Sequence, residues 1–279
     1  MKIAKEFVNE VADGERFEFG SNWAKFLRRL DDGRITESIN AICNAFRGFE
    51  FRGKSVLDIG SGSGVSSLAF RRLDAVVTSF DFDPNSVACT QELKRREGAA
   101  EEQWRVLRGS VLDSEFVSSL GQFDVVYSWG VLHHTGEMWR AIEIAQHAVR
   151  PGGRFCIAIY NDQGIWSRYW LGVKKAYNRC PRFLRWLIVL PASIQLWGPR
   201  MVYDLLTGHP FRHWRTYAKN RGMSPWHDII DWVGGLPFEV ASPDVIFRYF
   251  SERNFKLLHL KTCGGRLGCN EFTFEKAGS

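Results

Sequence analysis

The sequence predicts an α/β fold: a doubly wound, mostly parallel seven-stranded sheet, an antiparallel closing hairpin and a helical lid insertion. Three observations predict it. Short apolar runs alternate with helical stretches from about residue 54 to 160, the pattern of parallel strands covered on both faces. The first of these runs feeds into three alternate glycines, Val56-Leu-Asp-Ile-Gly-Ser-Gly-Ser-Gly64. Two further strand-like runs, 255–262 and 270–275, flank the glycine-rich turn Cys263-Gly-Gly-Arg-Leu-Gly-Cys269 and read as a hairpin.

Each element follows in order. Ser55 to Ile59 suits a buried strand, and Gly60, Gly62 and Gly64 allow a tight turn that offers backbone to a ligand. Val65 to Arg72 reads as a helix whose amino end points at the same place. A dinucleotide fingerprint would require glycine at position 65, which is Val, and Asp58 would repel a pyrophosphate while suiting a cation. Residues 75–80 form the second strand. Asp81 ends it 21 residues after Gly60, the spacing of a ribose ligand. Asp83 before Pro84 reads as a helix cap. Trp104 to Asp113 is a third strand running into a turn, Phe123 to Ser128 a fourth, and Arg154 to Tyr160 a fifth after the turn Arg150-Pro-Gly-Gly153.

The series Asp-x-Gly-x-Gly-x-Gly, the acid at 81, the fourth strand leading into Trp129-Gly-Val-Leu-His-His134 and the Pro-Gly-Gly turn resemble the class I S-adenosylmethionine-dependent methyltransferases. Within that group the chain looks like bacterial small-molecule methyltransferases of the ubiquinone type. The resemblance implies a Rossmann-like core that binds S-adenosylmethionine and releases S-adenosylhomocysteine. It implies cofactor contacts at Asp58, Gly60, Ser61, Gly62, Gly64, Asp81, Phe82, Ser110, Val111 and Ser128. In this family Asp81 would take the ribose hydroxyls, and Ser110 and Val111 would neighbour the adenine. Ser110 stands where relatives usually carry an acid.

Four segments are predicted: an N-terminal helical arm (1–50), the cofactor-binding core (51–160), a basic aromatic lid (161–237), and a C-terminal helix and hairpin (238–279). The lid reads as two or three amphipathic helices broken at Cys180-Pro181, Pro191, Gly198-Pro199 and Gly208-His-Pro210. A helix over 243–253, capped by Ser242, would follow. The start of the chain has charges where a signal peptide needs an apolar run, and six scattered cysteines form no Cys-x-x-Cys pair. A cytoplasmic setting without a metal site is the expectation.

The net charge of +6 conceals an asymmetry. Residues 165–221 hold eleven Lys or Arg against one acid, Asp204, so this segment is +10 and the remainder −4. Seven of eleven tryptophans fall between 166 and 232. Basic residues among aromatics suit an anionic membrane in peripheral contact, RNA, or a lid whose aromatics pack inward.

Methyl transfer is an in-line displacement in which the protein chiefly orients the acceptor. A hydroxyl acceptor gains from a base near neutral pKa, which histidine supplies. His134 and His133 follow the fourth strand; neighbours there would not both face one pocket, and His134 is the one favoured. His227 is the third candidate, with Asp231 on the same helical face and Asp228 beside it. Trp23, Trp129, Tyr160, Trp226, Asp228, Asn270 and Glu271 are the expected acceptor contacts. The leading expectation is a methyltransferase acting on a small or lipid-linked acceptor, at a hydroxyl. An RNA-modifying enzyme and a non-catalytic cofactor-binding partner subunit stay open beside it.

Overall fold

The computed structural model describes residues 2–20, 23, 27, 30–221 and 225–278, with side chains for 7–20, 23, 27, 30–217, 226 and 228–278. Helices α1 (Lys2–Ala12) and α2 (Asp32–Ala45) precede a strand-helix alternation. It runs β1 (Ser55–Ile59), α3 (Val65–Arg72), β2 (Val76–Asp81), α4 (Pro84–Glu97), β3 (Trp104–Arg108), α5 (Ser114–Ser119), β4 (Phe123–Trp129), α6 (Met138–His147) and β5 (Val149–Tyr160). Four consecutive helices come next: α7 (Ile165–Arg179), α8 (Trp186–Leu206), α9 (Arg212–Arg221) and α10 (Pro225–Gly234). The chain closes with α11 (Pro243–Ser251), β6 (Phe255–Lys261) and β7 (Cys269–Lys276).

These elements form two units, one of residues 1–7, 18–164 and 237–279 and the other of residues 8–17 and 165–236. The first unit is built on a seven-stranded sheet of order β3-β2-β1-β4-β5-β7-β6. β1 pairs in parallel with β2 and β4, while β7 runs antiparallel between β5 and β6. Side chains alternate across the sheet, as strand geometry demands. Leu57, Ile59, Phe80 and Val126 enter the core on one face, and Val56, Val77, Val125 and Tyr127 the core on the other. The order reverses between β1 and β4, so a crevice opens at their carboxyl ends, where ligands of such sheets sit.

The second unit packs Trp170 and Tyr177 of α7, Val189, Ala192 and Trp197 of α8, and Ile229 and Val233 of α10 into its own core. The Lys174 ammonium is buried there, donating to the Trp232 carbonyl and lying 4.4 Å from the Trp232 ring centroid. Asn178 ties α7 to α10 by donating to Gly234 O at 2.7 Å. Gly234 has no room for a side chain, because a Cβ there would stand 2.4 Å from the Phe17 ring.

Three expectations are corrected. Pro191 and Pro199 lie inside α8 without ending it. Each removes the bond to a carbonyl four residues earlier, at Leu187 and Gln195, and both of those residues are exposed, so solvent can take the freed acceptor. The Arg150-Pro-Gly-Gly segment belongs to β5, which starts at Val149 opposite Phe123, and the register shifts before Val125. Gly153 permits this, since a Cβ would meet Arg150 O at 2.9 Å and Asp124 O at 3.1 Å. Finally, α11 stops at Ser251, and its N-cap Ser242 bonds the Asp244 side chain instead of the helix backbone.

Candidate functional site

The turn after β1 occupies the reversal point. Gly60, Gly62 and Gly64 have φ of 74°, 55° and 83°, the left-handed region that side chains oppose. Close approach adds a second reason for two of them. A Cβ on Gly60 would lie 2.3 Å from Val131, which leaves β4 on the other side of the crevice, and one on Gly64 would meet Thr90 Cα at 2.9 Å. Ser61 Oγ and Thr90 Oγ1 are 2.9 Å apart, fastening the turn to α4.

Asp81 closes the turn from the end of β2. Its Oδ2 accepts from Gly62 N and its Oδ1 from Asp83 N, both at 2.9 Å. Asp83 caps α4 through Asn85 N, as the sequence predicts, and also accepts from Gly20 N at 2.7 Å. The arm is thereby held at the loop: Trp23 Nε1 lies 3.2 Å from the point where a Gly62 Cβ would stand. Phe82 meets Phe7 edge-on, with centroids 5.6 Å apart.

Asp58 sits beneath this turn and is 2% exposed. It ends a chain of buried donors in which Trp104 Nε1 donates to Ser79 Oγ at 2.6 Å, Ser79 lies 3.1 Å from Ser67 Oγ, and Ser67 donates to Asp58. When Asp58 is ionised, one hydrogen per hydroxyl turns both serines toward the carboxylate. Burial raises the Asp58 pKa to about 7, against the pull of the Ser67 bond and with a further push from the Asp81 charge. Burial likewise raises Asp81 to about 6, opposed by the N–H groups of Gly62 and Asp83. Among the described residues, the turn's side-chain partners are therefore a carboxylate and hydroxyls. That donor set suits a ligand with cationic groups and hydroxyls and does not suit a phosphate.

The histidines follow β4 on a single 3-10 turn, Leu132–His134. Such a turn separates neighbours by about a third of a revolution. Both rings nevertheless meet the ring of Tyr160. The Tyr160 ring centroid is 4.0 Å from His133 and 5.3 Å from His134, with Phe19 5.0 Å from His134 and Phe238 5.6 Å from Tyr160. His133 is fully buried, so it backs His134 instead of facing an acceptor. His134 Nδ1 lies 2.6 Å from the Pro237 carbonyl, which can only accept. The proton of the neutral ring is thus on Nδ1, and Nε2 is the basic nitrogen. The segment that supplies this carbonyl is itself pinned, because Glu239 N donates to His133 O at 3.0 Å and Met138 N to Glu239 Oε2 at 2.9 Å.

Other sequence-chosen residues fall elsewhere. Ser128 is fully buried and donates to Ile59 O at 3.2 Å, joining the ends of β4 and β1. The Ser110 hydroxyl accepts from Leu112 N at 3.2 Å, and Val111 is buried in the core. Asn270 is buried, donating to Asn161 Oδ1 at 2.9 Å and accepting from Cys263 N at 3.1 Å. It ties the hairpin turn to β5 and does not line a rim. Glu271 pairs with Lys261 at 2.8 Å across β6 and β7. Trp129 is exposed. In the second unit, Trp226 is exposed and the Asp228 carboxylate accepts from the Tyr217 hydroxyl. The His227 side chain lies outside the described residues.

Ser67, Thr90, Val131 and Pro237 were not singled out from sequence. Serines and threonines inside predicted helices give little signal, and a carbonyl that orients a ring about a hundred residues away gives none.

Residues 57–155 match the model of a methyltransferase domain family. The matched segment takes in the glycine turn and Asp81. The ubiquinone biosynthesis O-methyltransferase of Methylobacterium nodulans is 30% identical over 164 residues, covering 55% of this chain and 63% of that protein. The protein of the same name from Pseudomonas entomophila is 31% identical over 109 residues, 39% of this chain and 45% of that one. The chain thus spans less than two thirds of these relatives. Among solved structures, the magnesium protoporphyrin IX methyltransferase of Synechocystis PCC 6803 with bound S-adenosylhomocysteine aligns over 93% of this chain and 96% of its own, with a TM-score of 0.54 at 13% identity. A Burkholderia thailandensis 1,6-didemethyltoxoflavin-N1-methyltransferase aligns over 98% and 86%, with a TM-score of 0.50 at 16% identity. At these identities the structural likeness concerns the fold.

Proposed function

We propose that the chain is an S-adenosylmethionine-dependent methyltransferase that methylates a hydroxyl on a small or lipid-linked acceptor. The observation that carries the reading is the glycine turn closed by Asp81 within the matched segment. The acid-flanked cradle fits a ligand with a sulfonium, an ammonium and ribose hydroxyls. Asp81 would exchange its backbone partners for the ribose hydroxyls, the turn would face the amino-acid portion, and Asp58 would set the charge from below. When bound, the cofactor supplies an electrophilic methyl on sulfur.

The chain's own task is to place the acceptor oxygen in line and to receive its proton. Placement is worth up to about 7–11 kcal/mol in favourable systems. His134 Nε2 would take the proton as the oxygen–methyl bond forms, while Pro237 O keeps the ring's other proton in place. The names of the curated relatives, O-methyltransferases, favour oxygen over nitrogen. The test is transfer of labelled methyl to a prenylated phenol and to a matched amine. The phenol should be labelled, and His134→Ala should slow turnover by roughly 10²–10⁴-fold. Label in the amine alone would overturn the hydroxyl reading, and an unchanged rate in the variant would remove His134 as base.

A further inference from the structure

The polarity of α8 is the reverse of what water demands. Val189, Ala192 and Trp197 face its unit's core, and so does the buried Asp204. On the far side, Leu187, Leu190, Ile194, Val202, Leu205 and Leu206 form a stripe at helical spacing, each more than half exposed. This stripe carries no charged residue over the 21 positions of the helix. A helix apolar on both sides belongs in an apolar setting on both sides. Phe183 and Phe211, just outside the two ends of the helix, and Trp186 and Tyr203, within its first and last turns, are also exposed, and aromatic rings suit a boundary between acyl chains and water.

Charge identifies the occupant. Arg182 lies just before the helix and Arg212 and Arg215 just after it, and all three are exposed, while Arg200 lies over the Trp197 ring on the other side. The sole acid of residues 165–221, Asp204, is buried and held by the His213 backbone and ring, so it offsets none of this at the surface. A second copy would bring the same cations together. RNA would find few stacking partners in a stripe of Leu, Ile and Val. No described helix is long and apolar enough to cross a bilayer. We propose that α8 lies flat on an anionic phospholipid surface, its aliphatic stripe among the outer acyl carbons and its flanking arginines on the phosphates. At about 1.5 Å per residue the helix would cover some 30 Å of that surface.

The test uses the full chain without cofactor, so it stands apart from the methyltransferase reading. Co-sedimentation is measured with vesicles of phosphatidylcholine alone and of phosphatidylcholine mixed with phosphatidylglycerol. Binding should require the anionic lipid. It should be lost in L190E/I194E and weaken about fivefold for each of Arg182→Gln and Arg212→Gln. The glutamates replace exposed residues, and unchanged circular dichroism would confirm folding. Equal binding to both vesicles, or to neither, overturns the proposal. So does a dimer that L190E/I194E disperses, or salt-sensitive binding to single-stranded RNA that this variant leaves intact.

Discussion

The two units handle polarity in opposite ways. The sheet unit buries a directed chain of polar groups, from Trp104 through Ser79 and Ser67 to Asp58, and encloses it between two apolar cores. The helical unit buries a lysine and turns a stripe of Leu, Ile and Val outward. In the first, an unusual group sits inside because it supports a turn whose backbone must keep a demanding shape. In the second, unusual groups sit outside, where only a partner less polar than water would favour them. A buried acid beneath a loop thus marks a ligand, and a bare apolar helix face marks a surface.

The contrast is broken most sharply by side-chain deletion. Leu57→Ala, in the sheet core, should cost about 2–5 kcal/mol in urea unfolding. Leu190→Ala, on the outward stripe, should stay within about 0.5 kcal/mol. Equal losses would mean that the stripe is packed in the free protein.

Acid and base should then divide the units. Asp58 titrates near 7 when folded against 3.8 for the free side chain, so the folded state holds the extra proton between those values. Stability should therefore fall as pH rises from about 4 to about 7, by on the order of a few kcal/mol, and Asp58→Asn should remove its share, leaving only the part that Asp81 contributes below about pH 6. Burial lowers Lys174 to about 7 from 10.5, despite the nearby Asp231 charge. Here the unfolded state holds the extra proton, so stability should rise from about pH 7 towards 10, and Lys174→Met should remove the rise. Slopes of the same sign in both windows, or slopes that the substitutions leave unchanged, would count against this division. The smallest effect belongs to Glu271→Gln, which should change stability by less than about 1 kcal/mol because its partner Lys261 is solvent-exposed. A loss well above that would give Glu271 a structural role beyond the ion pair.

Where local pattern and local need coincide, the sequence was readable. A continuous buried run wrote β1, positive φ required the glycines, and the strand-end acid at 81 had to lie beside the turn in this topology. The hairpin was legible for the same reason. Elements whose form depends on distant partners were not. Pro191 and Pro199 read as breaks, yet packing of Val189, Ala192 and Trp197 carries α8 through both. Ser128 and Asn270 stand at strand ends facing the expected ligand side, but Ile59 O and Asn161 claim their polar atoms. The pairing of His134 with Pro237 joins residues that nothing in the sequence links.

The central claim is that the turn closed by Asp81 binds S-adenosylmethionine. Calorimetric titration of the wild type and of Asp81→Ala tests it directly. The account predicts saturable heat in the wild type and its loss in a variant that remains folded. Absence of heat and of any thermal shift in the wild type, or undiminished affinity in the variant, would contradict it.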